Sequence, residues 1–261
     1  RGGLTFLGQR WKVQPGLLPE MVRSGRQDSF SRDLVASLSP LERSVAAVVA
    51  AHPDPVPHSW VAEFVPIAPD SLPSIIAGPL RRLLAVSNNM LAPINKNIRA
   101  ALLGGSDAAE IHRAHEFLAE KVPRLEGNVA SDRPLAHHHQ QLGRVRDAAR
   151  VHLRLLQAYW SIRPRERPYE LIEGVCRSGL ELLEKHGASV SASTRRHLFC
   201  FYLKQWINAF WSRNLFTHAK PVIDEWTKRL GETMPASVAP RYVRSVLERE
   251  GAEAGLGTGK A

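Results

Sequence analysis

Cysteine is almost missing from this chain: Cys176 and Cys200 are the only two among 261 residues. Two thiols cannot build a disulfide framework or a four-cysteine zinc site, and no Asn-x-Ser/Thr sequon is present, so an intracellular setting is expected. That setting is the cytoplasm, the mitochondrion or another organelle. Long apolar runs are missing too. The longest, Val45 to Ala51, falls far short of the roughly 20 residues of a membrane-spanning helix, which predicts a soluble protein without a membrane span. Catalytic signatures are equally scarce. There is no Gly-x-Ser-x-Gly elbow and no His-Glu-x-x-His pair. The Gly-rich end, Gly255 to Lys260, fails as a phosphate loop, because Ala254 stands where its first Gly is needed and Ala261 where Ser or Thr is needed. The expectation is a protein that is not an enzyme, with no cofactor and no small-molecule substrate.

What is present is helical periodicity. Ser39-Pro40-Leu41-Glu42 is a helix start, with Ser39 as cap, Pro40 at the first helical position and Glu42 able to complete a capping box. From Leu72 onward the pattern predicts helices at about 72–87, 93–103, 107–122, 133–162, 168–186, 194–213, 218–230 and 237–250. Most of these stop at a glycine or proline, among them Gly104-Gly105, Pro123, Gly187 and Gly231. Alternating strand patterns and hairpin turn pairs are nearly absent. The expected fold is all-α, an antiparallel helical bundle or an irregular array of helical hairpins with an extended N-terminal arm. No 34- or 40-residue repeat marks it as a solenoid.

Four regions are expected. Residues 1–38 read as an extended basic arm, because Gly2, Gly3, Gly8, Pro15, Gly16, Pro19 and Gly25 break up its scattered apolar residues. Residues 39–70 read as a short helix and a proline-rich elbow, 71–250 as the helical domain and 251–261 as a flexible tail. The chain opens at Arg1 rather than Met, which reads as a processed or trimmed product.

Charge is unevenly spread. Lys plus Arg number 35 against 25 Asp plus Glu, a formal net charge of +10, and 27 of the 35 cations are Arg. Half of the excess lies between residues 131 and 168. Within the helix expected there, Leu142, Val145, Ala149, His152, Leu156 and Tyr159 form one apolar seam, and Arg146, Arg150 and Arg154 follow one another every four residues beside it. Arg144 precedes them, and Arg163, Arg165 and Arg167 continue the strip past the helix end. Guanidinium groups fork onto phosphate, so these seven arginines are the candidate nucleic-acid contacts. The alternatives are pairing with intramolecular carboxylates such as Glu110, Glu116 and Glu120, or meeting an acidic protein.

Two other constellations stand out. Aromatics fall on nearly every side of 194–213, from Phe199 to Trp211, which reads as the buried centre of a bundle, with a base-stacking platform as the functional alternative. His112, His115 and Glu116 lie within one helical turn, and His137, His138 and His139 open the next helix. Antiparallel packing of those helices brings the two groups together, with His112, His115 and His139 as the metal candidates. Their order matches neither the zincin nor the di-iron pattern. The leading expectation is a non-catalytic architectural subunit of a large RNA-containing assembly, ribosome-like and possibly organellar. A helical adaptor among other protein subunits is the alternative, followed by a viral nucleocapsid-type protein or a histidine-metal helical enzyme.

Overall fold

The computed structural model describes residues 33–122 and 128–232. The arm, to residue 32, the helix expected at 237–250 and the tail lie outside the described residues. Where the arm reading reaches described residues, 33–36 are helical and Val35 and Leu38 are buried. The described residues are mostly helical, with one small three-stranded sheet. The chain divides into two compact units between Ala114 and His115.

The first unit is built on α1 (Pro40–Ala51). Its capping box forms as the sequence predicts: Glu42 N–H donates to Ser39 Oγ, and the Ser39 N–H donates to Glu42 Oε2 at 2.8 Å. The run Val45 to Ala51 is buried on every side, and its small side chains let other elements approach closely. Strand β1 (Val56–Pro57) follows, then α2 (His58–Phe64), a short 3-10 turn at Pro69–Ser71 and α3 (Leu72–Ile76). The proline-rich segment is thus folded, burying Val56, Val61, Ala62, Phe64 and Val65.

The helix expected at 72–87 stops early. After α3 and a 3-10 turn at Pro79–Arg82, the chain forms β2 (Leu84–Ser87) and β3 (Met90–Pro93). Asn88 and Asn89 join them at φ of 50° and 57°, the left-handed geometry of a two-residue hairpin that asparagine tolerates. Both pairings are antiparallel and the sheet order is β1-β3-β2. One helix, one strand, two helices and a β-hairpin in that order make a helix-turn-helix closed by a two-stranded wing. α4 (Lys96–Gly105) packs on α1, and Arg99 ties it down by donating to the carbonyls of His52 and Pro53 at 2.6 and 3.0 Å.

Helix α5 (Ala108–Lys121) contains the division between the units. Beyond it, α6 (Val129–Gln141), α7 (Val145–Ser161), α8 (Tyr169–His186) and α9 (Ala192–Ser212) form successive antiparallel hairpins, and α10 (Ala219–Leu230) packs on α8 and α9. The helix expected over 133–162 is therefore two. Gly143, at φ 64°, supplies the left-handed residue of the turn between them. Most of the predicted seam survives on α7, where Val145, His152, Leu156 and Tyr159 are buried, while Ala149 is half-buried with Ala148 in the core in its place and Leu142 belongs to the turn. Helix α9 is the bundle centre expected of it, burying Phe199, Tyr202, Leu203, Trp206, Ile207 and Phe210.

Candidate functional site

Among the described residues, the excess positive charge lies in the second unit. Over 33–114 six Lys and Arg face seven Asp and Glu, whereas the described residues from 115 onward hold 18 against 12. The seven candidate arginines all lie in this second unit, and they fall into distinct groups.

Arg154 is structural rather than outward-facing. Its Nε donates to both carboxylate oxygens of Asp132, at 3.1 and 3.2 Å, and its Nη2 lies 2.5 Å from Oδ1. The Asp132 side chain is only 3% exposed, so this fork clamps α7 to the first turn of α6. The reason lies in helix geometry. A four-residue step overshoots the 3.6-residue turn by about 40°, so two steps carry Arg154 about 80° around α7 from Arg146, toward α6. Arg167 is structural as well. It donates to the carbonyls of Trp160 and Ile162 at 3.0 Å and stacks over the Trp160 ring at 4.8 Å, closing the turn between α7 and α8.

The other five point outward. Arg144 pairs with Glu116 at 3.0 Å and Arg150 with Asp147 at 3.0 Å, both at exposed positions where such pairs hold weakly. Arg146, Arg163 and Arg165 are exposed, with no side-chain partner among the described residues. Arg146 and Arg150 sit near the start of α7, roughly 17 to 22 Å from its end at 1.5 Å per residue, and Arg163 and Arg165 follow that end. Leu153, three residues after Arg150, is 42% exposed on the same side.

The histidines do gather, in part as the antiparallel packing predicts. His115 on α5 meets His137 and His138 on α6, with ring centroids 5.5, 5.2 and 5.5 Å apart. His115 Nδ1 and His138 Nδ1 are 2.9 Å apart, so one ring donates and the other accepts. His115 and His138 are buried and His137 partly so. Neither His112, which is exposed, nor His139 belongs to this cluster. Adjacent residues on a helix diverge by about 100°, and His137 and His138 reach one point because they straddle the line where α5 meets α6.

His137 also lines a cleft of 240 Å³ among α6, α7 and α8, together with Arg133, Gln140, His152, Tyr159 and Glu170. His152 is fully engaged. The Gln140 amide nitrogen can only donate, so His152 Nε2 accepts at 2.9 Å, and its Nδ1–H donates to Tyr202 Oη at 2.8 Å. Burial holds its pKa down at about 4, so the ring is neutral at physiological pH and serves as a core histidine. Burial likewise raises the Cys176 thiol and the Tyr202 hydroxyl far above their usual ranges, leaving neither as a nucleophile or base.

Sequence reasoning missed Asp132 as the partner of Arg154. The signal was there in the Asn128 cap, since an acid in the first turn of α6 faces whatever crosses that turn. No described helix is long and apolar enough to cross a membrane. No protein-family model, curated protein or solved structure matches the chain.

Proposed function

We propose that this protein is a non-catalytic architectural subunit of an RNA-containing assembly, holding RNA phosphate with the outward arginines of its second unit. The carrying observation is the set Arg146, Arg150, Arg163 and Arg165. All four guanidinium groups are exposed, and only Arg150 has an ion pair among the described residues, an exposed one. A phosphate ligand replaces water or a weak surface pair at each, and releases counterions as it does so. Roughly 17 to 22 Å of helix α7 separates Arg150 and Arg146 from its end, beyond which Arg163 and Arg165 follow, a span that an extended polyanion can cover and a small ligand cannot. The wing-closed helix-turn-helix of the first unit lends weaker support. Asn88 and Asn89 are exposed at the tip of the wing, and Arg81, Arg82 and Lys96 are exposed at the opposite end of the hairpin, but a fold alone assigns no function.

One observation favours the second reading, a helical protein adaptor. Leu153 is exposed beside Arg150, and an apolar residue flanked by arginine is the composition of a protein-binding anchor rather than of a phosphate track.

The test is titration of the full chain with single-stranded and duplex RNA at two salt concentrations, then with Arg146, Arg150, Arg163 and Arg165 all changed to Ala. For single-stranded RNA the salt slope is expected to fall by about 0.7 for each phosphate that the variant no longer holds. The Leu153→Ser variant is expected to bind RNA unchanged. Absence of RNA binding by the wild-type protein at about 50 mM salt, where such contacts are strong, overturns the proposal.

A further inference from the structure

We infer that His115, His137 and His138 form a site for one divalent transition-metal ion, zinc by preference. Nothing in the RNA reading requires this site, and it stands or falls separately.

The geometry is that of a ligand set. One ring nitrogen from each histidine lies within 4.8 Å of the others, and His115 Nδ1 and His138 Nδ1 are 2.9 Å apart. A tetrahedral ion with bonds of about 2.05 Å needs its nitrogen ligands about 3.3 Å apart, a value inside that interval. Binding therefore requires the His115–His138 pair to open by about 0.4 Å and the third ring to close in, shifts that χ rotation of an imidazole supplies. In the absence of an ion the two Nδ1 atoms share one proton, and a metal takes that proton's place while satisfying both lone pairs.

Chemistry selects the ion. Three neutral imidazoles form a borderline donor set suited to Zn2+, Cu2+, Ni2+ or Fe2+ and poor for Mg2+ or Ca2+, which take oxygen ligands. Three protein ligands leave the fourth tetrahedral position for water or an exchangeable group, the arrangement of an accessible rather than a closed structural zinc. Two of the ligands come from consecutive residues of α6 and the third from α5, so the ion also fastens these two helices together. His137 marks the way in, because it alone of the three is partly exposed and it also lines the cleft.

The test uses the full chain without an affinity tag, first stripped with a chelator. Calorimetric titration with Zn2+ is expected to give one ion per chain, and Co2+ to give the visible absorption of a four-coordinate site. His137→Ala is the main variant, because that ring is the least buried, and His138→Ala is the second. Each is expected to weaken Zn2+ binding by more than about 100-fold, beyond the loss caused by an outer-shell partner. The exposed His112→Ala is expected to bind as wild type. Zn2+ is also expected to raise the melting temperature of the wild type and leave that of His137→Ala unmoved, a readout that separates lost coordination from lost folding. Failure of the wild type to bind one Zn2+ overturns the inference, as does equal affinity in His137→Ala and wild type.

Discussion

Changing Arg154 to Ala separates the arginines that hold the fold from those free to meet a ligand. In the native protein the Asp132 carboxylate is 3% exposed and takes three hydrogen bonds from one guanidinium group. Removing that group strands a charge in the interior, a change that costs about 3–5 kcal/mol when a buried pair is broken. Arg154 itself is 31% exposed, so water shares part of its charge and the lower end, about 3 kcal/mol, is expected. For a unit of this size that is a fall in melting temperature of roughly 12 °C. Arg146→Ala and Arg150→Ala, at exposed positions, are expected to change stability by less than about 0.5 kcal/mol. Denaturant unfolding followed by tryptophan fluorescence reads the difference, because Trp160, Trp206, Trp211 and Trp226 all lie in the second unit. The combined change Asp132→Leu with Arg154→Met is expected to recover most of the loss, since an apolar pair leaves no stranded charge. Equal stability of Arg154→Ala and Arg146→Ala refutes the assignment of Arg154 to the interior.

Two further outcomes follow from the core of the second unit. A Cβ added at Gly179 overlaps the Tyr202 ring, whereas one at Gly174, on the same helix, meets nothing within 4 Å. Gly179→Ala is therefore expected to lose about 1–3 kcal/mol and Gly174→Ala to gain up to about 1 kcal/mol, compared by thermal unfolding; similar effects at the two positions contradict the packing described. His152 gives a pH dependence. Burial lowers its folded pKa from 6.5 to about 4, so the unfolded chain takes up the proton first. Its contribution to stability is full above about pH 6.5 and is lost as the pH falls toward 4, by about 3 kcal/mol in all. The stability difference between wild type and His152→Gln, measured from pH 7.5 to 4, is expected to shrink across that window; a constant difference rules the effect out.

Helix ends were the most legible part of the sequence, because they depend on single residues. Ser39 with Glu42 caps α1, and Gly231 ends α10 at a φ of 63°, where local backbone chemistry requires a glycine; Gly105 and Gly187 also stand at helix ends, though in no left-handed geometry. The wing was illegible. Its strands are four residues each, too short for alternation to stand out, and Asn88-Asn89 lacks the glycine that usually announces such a turn. The turn at Gly143 is hidden by the helical periodicity on either side of it. For the candidate site, the sequence located the arginine-rich stretch and the approach of the two histidine groups, but it named His112 and His139 beside His115 where the structure gathers His137 and His138. It did not separate Arg154 from Arg146, because that distinction depends on which helix passes alongside, and tertiary neighbours leave no mark on a local pattern.

Tyr202 illustrates what the notch at Gly179 does for the whole bundle. Sliding α9 one turn in either direction would bring Phe199 or Trp206 to the gap. The first has no hydroxyl to reach His152, and the second is too broad for the space. Only one register of α9 against α8 therefore satisfies both shape and hydrogen bonding. Helices as uniformly apolar as α9 are prone to settle in several alignments; here a missing side chain on one helix and a single oxygen on the other choose among them.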